Sequence, residues 1–304
     1  MLTPVHTHLT RRALFAALAF TALTLGAAAC GTSSGSGGMP GMDHGSNASP
    51  SSSLGSMPGM DAMPTGDGLA ATAAGLTFVP TSASLPAAKA QAFTFQIRGG
   101  DGKPVTSFAP DQTKLMHFYL IRSDLTGFQH IHPSMAPDGT WSAQVQPLQP
   151  GSYRAYASFI AADMAGKPTP VVLGEKLSVA GTAGTTPLPA AAGTTQVDGY
   201  TITLGSGGLM AGMTHTLSAT LSRDGKPVTD LQPYLDTYAH LTAFHNGDLA
   251  FAHLHPQGAV NGEHGGPTLT FEAMLTRPGN WRLFLQFQTG GTLHTAAITV
   301  TVGG

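Results

Sequence analysis

The sequence predicts an all-β chain in which two tandem β-sandwiches follow a signal peptide and a Met-rich tether. Three observations carry this. Glycine and proline number 39 and 22 among 304 residues, well above a usual combined share of about 12%, which disfavours long helices. The second half of the chain repeats the first at an offset of 123 residues. Each copy is a series of short strand-like runs separated by turn dipeptides such as Asp-Gly, Asn-Gly and Pro-Gly.

Composition excludes several functions. There are 14 Lys+Arg against 16 Asp+Glu, a net charge of −2, which is no electrostatic footprint for nucleic acid. The single cysteine rules out a disulfide framework, a zinc ribbon or an iron–sulfur cluster.

Residues 1–29 read as a lipoprotein signal peptide. Arg11 and Arg12 precede an apolar run from Ala13 to Ala29, too short and too Ala-rich for a membrane span. It ends Ala27-Ala28-Ala29-Cys30-Gly31, with Cys30 where a lipoprotein signal peptidase would leave it as first mature residue. The expected location is therefore extracytoplasmic, anchored to the cell membrane by lipid on Cys30.

Residues 30–68 form a Gly/Ser/Pro-rich tether that cannot bury enough to fold. It carries Met39-Pro40-Gly41-Met42-Asp43-His44, then Met57-Pro58-Gly59-Met60-Asp61 and Met63. Methionine gains nothing from concentration in a solvated tether unless its sulfur is used. Thioethers are soft ligands that select Cu(I), so Met39, Met42, His44, Met57, Met60 and Met63 are candidate ligands.

The repeat organises the remainder. Asp101-Gly102-Lys103-Pro104-Val105-Thr106 recurs as Asp224-Gly225-Lys226-Pro227-Val228-Thr229, and His117, His130 and His132 recur as His240, His253 and His255. Several features in one register mark a domain duplication. The first sandwich is placed at 69–181, a linker at 182–195 and the second sandwich at 196–304. About 110 residues and seven strand-like runs per copy fit an immunoglobulin-like sandwich.

The histidines should converge within each copy. Asn246-Gly247 reads as a two-residue hairpin loop, which sets His240 opposite His253, with His255 two residues beyond His253 on the same face and diagonal to His240. His117, His130 and His132 inherit that arrangement in the first copy. His294, entering the last strand, is a fourth candidate in the second copy, the stronger site on this reading. His245 and His264 read as loop residues. The competing reading of the same pattern is a set of core histidines donating to backbone carbonyls near each His-Pro corner.

Phe118-Tyr119-Leu120, Asp124 to Pro133, Val228 to Leu235 and His253-Leu254-His255-Pro256 resemble segments of uncharacterised secreted proteins of actinobacterial type. Their domains are similar to YtkA-like or copper-resistance-protein-C-like sandwiches of the envelope. The resemblance implies an envelope β-sandwich with a heavy-metal connection. The ligand set of the copper-resistance proteins, an N-terminal His with an internal Asp-x-His, is not present as such.

No phosphate-binding glycine loop or His-Glu-x-x-His is found. Gly31-Thr32-Ser33-Ser34-Gly35 matches a nucleophile elbow only in spelling, with no strand before it. The expectation is a non-enzymatic metal-binding protein for sequestration or delivery, with copper as Cu(I) or Cu(II) the expected metal and zinc the second candidate. Its expected partners are the membrane and another envelope copper protein, with no nucleic acid and no small organic substrate. Affinity is expected to fall below about pH 6.5, where free imidazole takes a proton. The alternative is a metal-free envelope scaffold with structural histidines.

Overall fold

The computed structural model describes residues 64–162 and 166–304. The signal peptide, Cys30 and the tether ligands Met39, Met42, His44, Met57, Met60 and Met63 lie outside the described residues.

The described chain is all-β, as the turn-rich composition predicts. The first sandwich holds β1 (Thr72–Ala73), β2 (Leu76–Pro80), β3 (Ser84–Leu85), β4 (Gln91–Arg98), β5 (His117–Arg122), β6 (Gln129–Ile131), β7 (Ser134–Met135), β8 (Thr140–Val145), β9 (Gly151–Ala162) and β10 (Pro168–Val179). The second holds β11 (Thr194–Val197), β12 (Tyr200–Ser206), β13 (Leu209–Met210), β14 (Thr214–Arg223), β15 (Lys226–Pro227), β16 (Ala239–His245), β17 (Phe251–Gln257), β18 (Thr268–Met274), β19 (Gly279–Thr289) and β20 (Thr292–Gly303).

In the first sandwich one sheet runs β1-β2-β4-β8-β7 and the other β3-β10-β9-β5-β6. β3 joins β10 in parallel, while the other pairings are antiparallel. The first strand region is thus split between the sheets, which is immunoglobulin-like connectivity. The second copy repeats it, with β13 parallel to β20. A corner at the penultimate long strand confirms the correspondence. Tyr153 Oη donates to the Gln149 carbonyl at 3.0 Å, and Trp281 Nε1 donates to the Arg277 carbonyl at 2.9 Å.

β17 belongs to both sheets of its sandwich. Its first half pairs with β16, and from His255 onward it pairs with β18. In the first copy β6 pairs with β5 and β7 with β8, with His132-Pro133 between them. Proline brings no N–H to a ladder, so it sits where the strand leaves one sheet for the other.

Each sandwich has its own core. Phe78, Phe93, Phe95, Phe118 and Trp141 stack through the first. Leu217, Leu241, Phe271, Trp281 and Phe287 fill the second. A third cluster joins them, made of Tyr119, Ile121, Leu125, Tyr156 and Val172 with Phe244, Phe251 and Phe284. The β5–β9 sheet of one copy therefore packs its outer face on the β16–β19 sheet of the other. That is why every residue of β5, and all of β16 but His245, is buried. Strands covered on both faces lose the alternation of a half-exposed sheet.

Residues 64–69, assigned from sequence largely to the tether, form a strap on this seam. Thr65 N donates to the Pro170 carbonyl at 2.8 Å, and Arg154 Nη1 donates to the Gly68 carbonyl at 2.9 Å. Asp67 Oδ2 pairs with Arg277 Nη2 at 2.7 Å. The linker is also tied down: Leu188 packs on the third cluster, and Thr186 N donates to Asp124 Oδ2 at 2.9 Å.

Candidate metal centre

The predicted register needs a correction of two residues. Phe244 faces Phe251 and Thr242 faces His253, so the Asn246-Gly247 loop closes from His245 to Ala250. Asp248 causes this. Its Oδ1 accepts from Ala250 N at 3.0 Å and pairs with His245 Nδ1 at 2.7 Å, while Leu249, at φ 65°, donates its N–H to the His245 carbonyl. The first copy shows the same slip, with Tyr119 facing His130. Side chains alternate with period two, so a slip of two keeps every histidine on its predicted face, where a slip of one would have reversed them all.

That face is the seam between the sandwiches. Six histidines meet there, three from each copy. His117 lies 6.2 Å from both His240 and His253, and His130 lies 6.0 Å from His240, between ring centres. Tyr119 stacks on His130 at 4.3 Å, and Tyr234 closes over His240 edge-on at 5.4 Å.

The tightest group is in the first copy, although the sequence favoured the second. Rings of His117, His130 and His132 stand 5.2, 5.0 and 4.7 Å apart. Their ligand nitrogens lie within 4.8 Å of one another, the one such group of three His, Cys, Asp or Glu among the described residues. At a metal–nitrogen length of about 2.0–2.1 Å, two imidazoles on one tetrahedral ion have ring centres ~5 Å apart and nitrogens ~3.3 Å apart. The second copy is wider, at 6.2 Å for His240–His253 and 5.3 Å for His253–His255.

Outer partners fix the tautomers of the tight pair. His117 Nε2 lies 3.0 Å from the Asp111 carbonyl, and His130 Nδ1 lies 2.7 Å from Gln286 Oε1. Gln286 Nε2 donates to Thr295 Oγ1 at 3.3 Å, which leaves Oε1 to accept from His130. Both outer atoms are acceptors only, so each ring donates outward. His117 Nδ1 and His130 Nε2 then face each other as lone pairs at 3.0 Å. Metal-binding histidines have this outer arrangement: the far N–H is held by a carbonyl and the near nitrogen is presented. Gln286 comes from the second sandwich, so the site draws on both copies.

Electrostatics keep the rings neutral. Burial pushes His117 below the usual imidazole range, opposed by the Asp111 carbonyl. Burial, then the neighbouring His117 and His132, hold His130 well below it. His132 is held at about 3 and His240 at about 4, in both cases by burial first and then by repulsion from His117. The Tyr234 and Leu235 carbonyls work against this at His240, yet neither ring nitrogen of His240 makes a hydrogen bond of acceptable geometry. His132 Nε2 and His253 Nε2 are likewise sealed from solvent without a hydrogen-bond partner. Buried polar atoms are almost always paired, and an exception points to a water or an ion.

His294 does not join the cluster. It is on the predicted sheet but faces inward, opposite Phe287, with its ring 5.1 Å from that of Phe287. Its Nδ1 is 2.8 Å from Asp198 Oδ2 and its Nε2 is 3.0 Å from Thr289 Oγ1, so both nitrogens are engaged. His264 is exposed, as predicted. His245 is half-buried, held by Asp248 and by the Pro278 carbonyl at 3.1 Å. Gln286, Tyr119 and Tyr234 were missed by sequence reasoning. Gln286 did leave a signal, a lone amide inside the apolar run Leu283-Phe284-Leu285-Gln286-Phe287.

Set beside known proteins, the chain fits one family. The sequence model described as Domain of unknown function (DUF8832) matches residues 71–167 and 195–304, and the chain belongs to this family. No curated protein matches it. Among solved structures, a tetra-tandem repeat from the extending region of a large adhesion protein is 16% identical, with a TM-score of 0.22, over 75% of this chain and 48% of that one. The Escherichia coli adhesin FdeC is 15% identical, with a TM-score of 0.24, over 80% of this chain and 66% of that one. A membrane-anchored protein from Corynebacterium diphtheriae is 12% identical, with a TM-score of 0.22, over 76% and 59%. The chain thus spans about half to two thirds of the length of these structures.

Proposed function

We propose that this chain is an extracytoplasmic, membrane-anchored protein that binds a transition-metal ion between its two sandwiches. His117 Nδ1, His130 Nε2 and His132 are the first ligands, and His240, with no hydrogen bond of its own, is the nearest fourth. The observation that carries the reading is the two ring nitrogens, His117 Nδ1 and His130 Nε2, facing each other at 3.0 Å while the far nitrogen of each ring lies on a carbonyl oxygen. A cation relieves that arrangement, and the nitrogens need separate by only ~0.3 Å to take it.

Copper is the metal we favour. Neutral imidazoles bind Cu(II) most tightly among the divalent first-row ions, and the methionines of the tether select Cu(I) by their softness. Zinc fits the same nitrogens. The role we assign is sequestration or delivery to another envelope protein without bond chemistry, with lipid on Cys30 as the anchor. The likeness to YtkA-like and copper-resistance-protein-C-like sandwiches belongs to the same proposal.

Competition-calibrated Cu(II) and Zn(II) affinities of the chain, beside His117→Ala/His130→Ala, test it. One equivalent bound by the wild type and lost in the double variant is the expected result. Equal binding by both would remove the seam from the account.

A further inference from the structure

The buried centre needs a way in, and the second copy's histidines are placed to provide one. A cleft of about 670 Å³ opens beside the strap, lined among others by His253, His255, Glu272 and Met274. β17 and β18 form its wall. His255 faces Glu272 across the ladder, and His253 and Met274, each two residues away along its strand, line the same cleft. Leu254, Phe271 and Ala273 point into the core. The cleft wall therefore carries two imidazoles, a carboxylate and a thioether on adjacent strands.

From that wall, rings lead inward. His255 and His253 are 5.3 Å apart, and His253 is 6.2 Å from both His117 and His240. His253 lines the open cleft on one side, while its Nε2 is sealed from solvent and without a hydrogen-bond partner. Among the described residues it is the one imidazole that both lines this cleft and lies 6.2 Å from His117 and His240.

We propose that this cleft is a loading and release site for the metal ion, at which Met274, Glu272 and His255 take up the ion and His253 passes it to the seam. This rests on the metal-binding reading above. Transfer is ligand exchange: each new metal–nitrogen bond forms as an outer bond to thioether, carboxylate or imidazole breaks, with no change of oxidation state. The step from His253 to the seam suits transit, because His253 stands 6.2 Å from both His117 and His240, wider than the ~5 Å of two imidazoles held on one ion. Met274 adds selectivity, since thioether sulfur favours Cu(I) and Ag(I) over Zn(II).

The test is kinetic and uses the full chain. Metal is supplied from, and withdrawn by, a coloured chelator, and both rates are followed with equilibrium affinity measured separately. His255→Ala should slow loading and withdrawal alike by about tenfold, leaving affinity within about threefold, because a pathway residue raises the barrier without moving its ends. Glu272→Gln is a milder second variant at the same mouth and should act in the same direction. Met274→Leu should slow Ag(I) and Cu(I) but not Zn(II). Unchanged rates in His255→Ala, or a loss of affinity as large as that of His117→Ala, would overturn the pathway while leaving the centre intact. A wild-type chain that binds no metal would instead remove the centre itself.

Discussion

Gln286 decides where His130 keeps its proton. Its Oε1 draws the N–H to Nδ1 and so turns the Nε2 lone pair toward His117. Gln286→Leu should therefore weaken metal binding about 10- to 100-fold, the usual cost of losing such an outer partner, with the far-ultraviolet spectrum unchanged. Unaltered affinity would mean that His130 is not a ligand. Protonation gives a second prediction. His240 is held at about 4 in the fold and reverts to about 6.5 in the unfolded chain. The unfolded chain thus binds more protons across that interval, so the contribution is complete above pH ~6.5 and is lost as pH falls toward 4, at about 1.4 kcal/mol per pH unit. Metal-free urea midpoints at pH 7.5, 6 and 4.5 should fall in that order, and a flat series would contradict neutral burial. Metal affinity should also survive to lower pH than free imidazole allows, below the 6.5 expected from sequence. The identities of the six seam histidines were legible from the repeat. Their tautomers were not, because a carbonyl at Asp111 and an amide from the other copy leave no local pattern.

At the scale of elements, the strap and the strands obey different limits. Gly174 lies under the strap, and an added Cβ would stand 1.9 Å from the Gly68 carbonyl oxygen. Gly174→Ala should lift residues 64–69, lowering stability by about 1–3 kcal/mol as overpacking does. Hydrogen exchange should then quicken at Thr65 and Phe251, whose N–H groups bond across the strap, while the amides of β4 and β8 stay protected. Uniform loss of protection would show that the strap is not a separate element. The hairpins show what sequence pattern can and cannot fix. Period-two alternation placed His240, His253 and His255 on one face correctly. The exact facing pairs depended on Asp248 capping Ala250 N, a side-chain bond that the Asn-Gly signal hides. His294 was misplaced by one step of the same alternation: the right sheet, the inner face. The doubly buried β5 carries an unbroken apolar run, Phe118-Tyr119-Leu120-Ile121, a pattern of strands covered on both faces that the sequence reading did not use.

Taken as a whole molecule, the duplication produces a site that neither copy completes alone, since His130 of one sandwich is oriented by Gln286 of the other. The aromatic seam keeps that arrangement in register. Phe284 stacks on Phe128 at 4.3 Å, and Phe284→Ala should cost about 3–5 kcal/mol and weaken metal binding with it. Saturating metal should restore part of the loss, about 2.7 kcal/mol at a hundredfold excess over Kd, read as a rise in the thermal midpoint. No rise would mean that the ion does not bridge the sandwiches. The most direct measurement is the X-ray absorption spectrum of the full chain loaded with one equivalent of copper or zinc. The proposed centre predicts three or four imidazole nitrogens at about 2.0 Å, with the imidazole signature lost in His117→Ala/His130→Ala. A shell of sulfur or water oxygen alone, unchanged in that variant, would contradict a metal centre between the sandwiches.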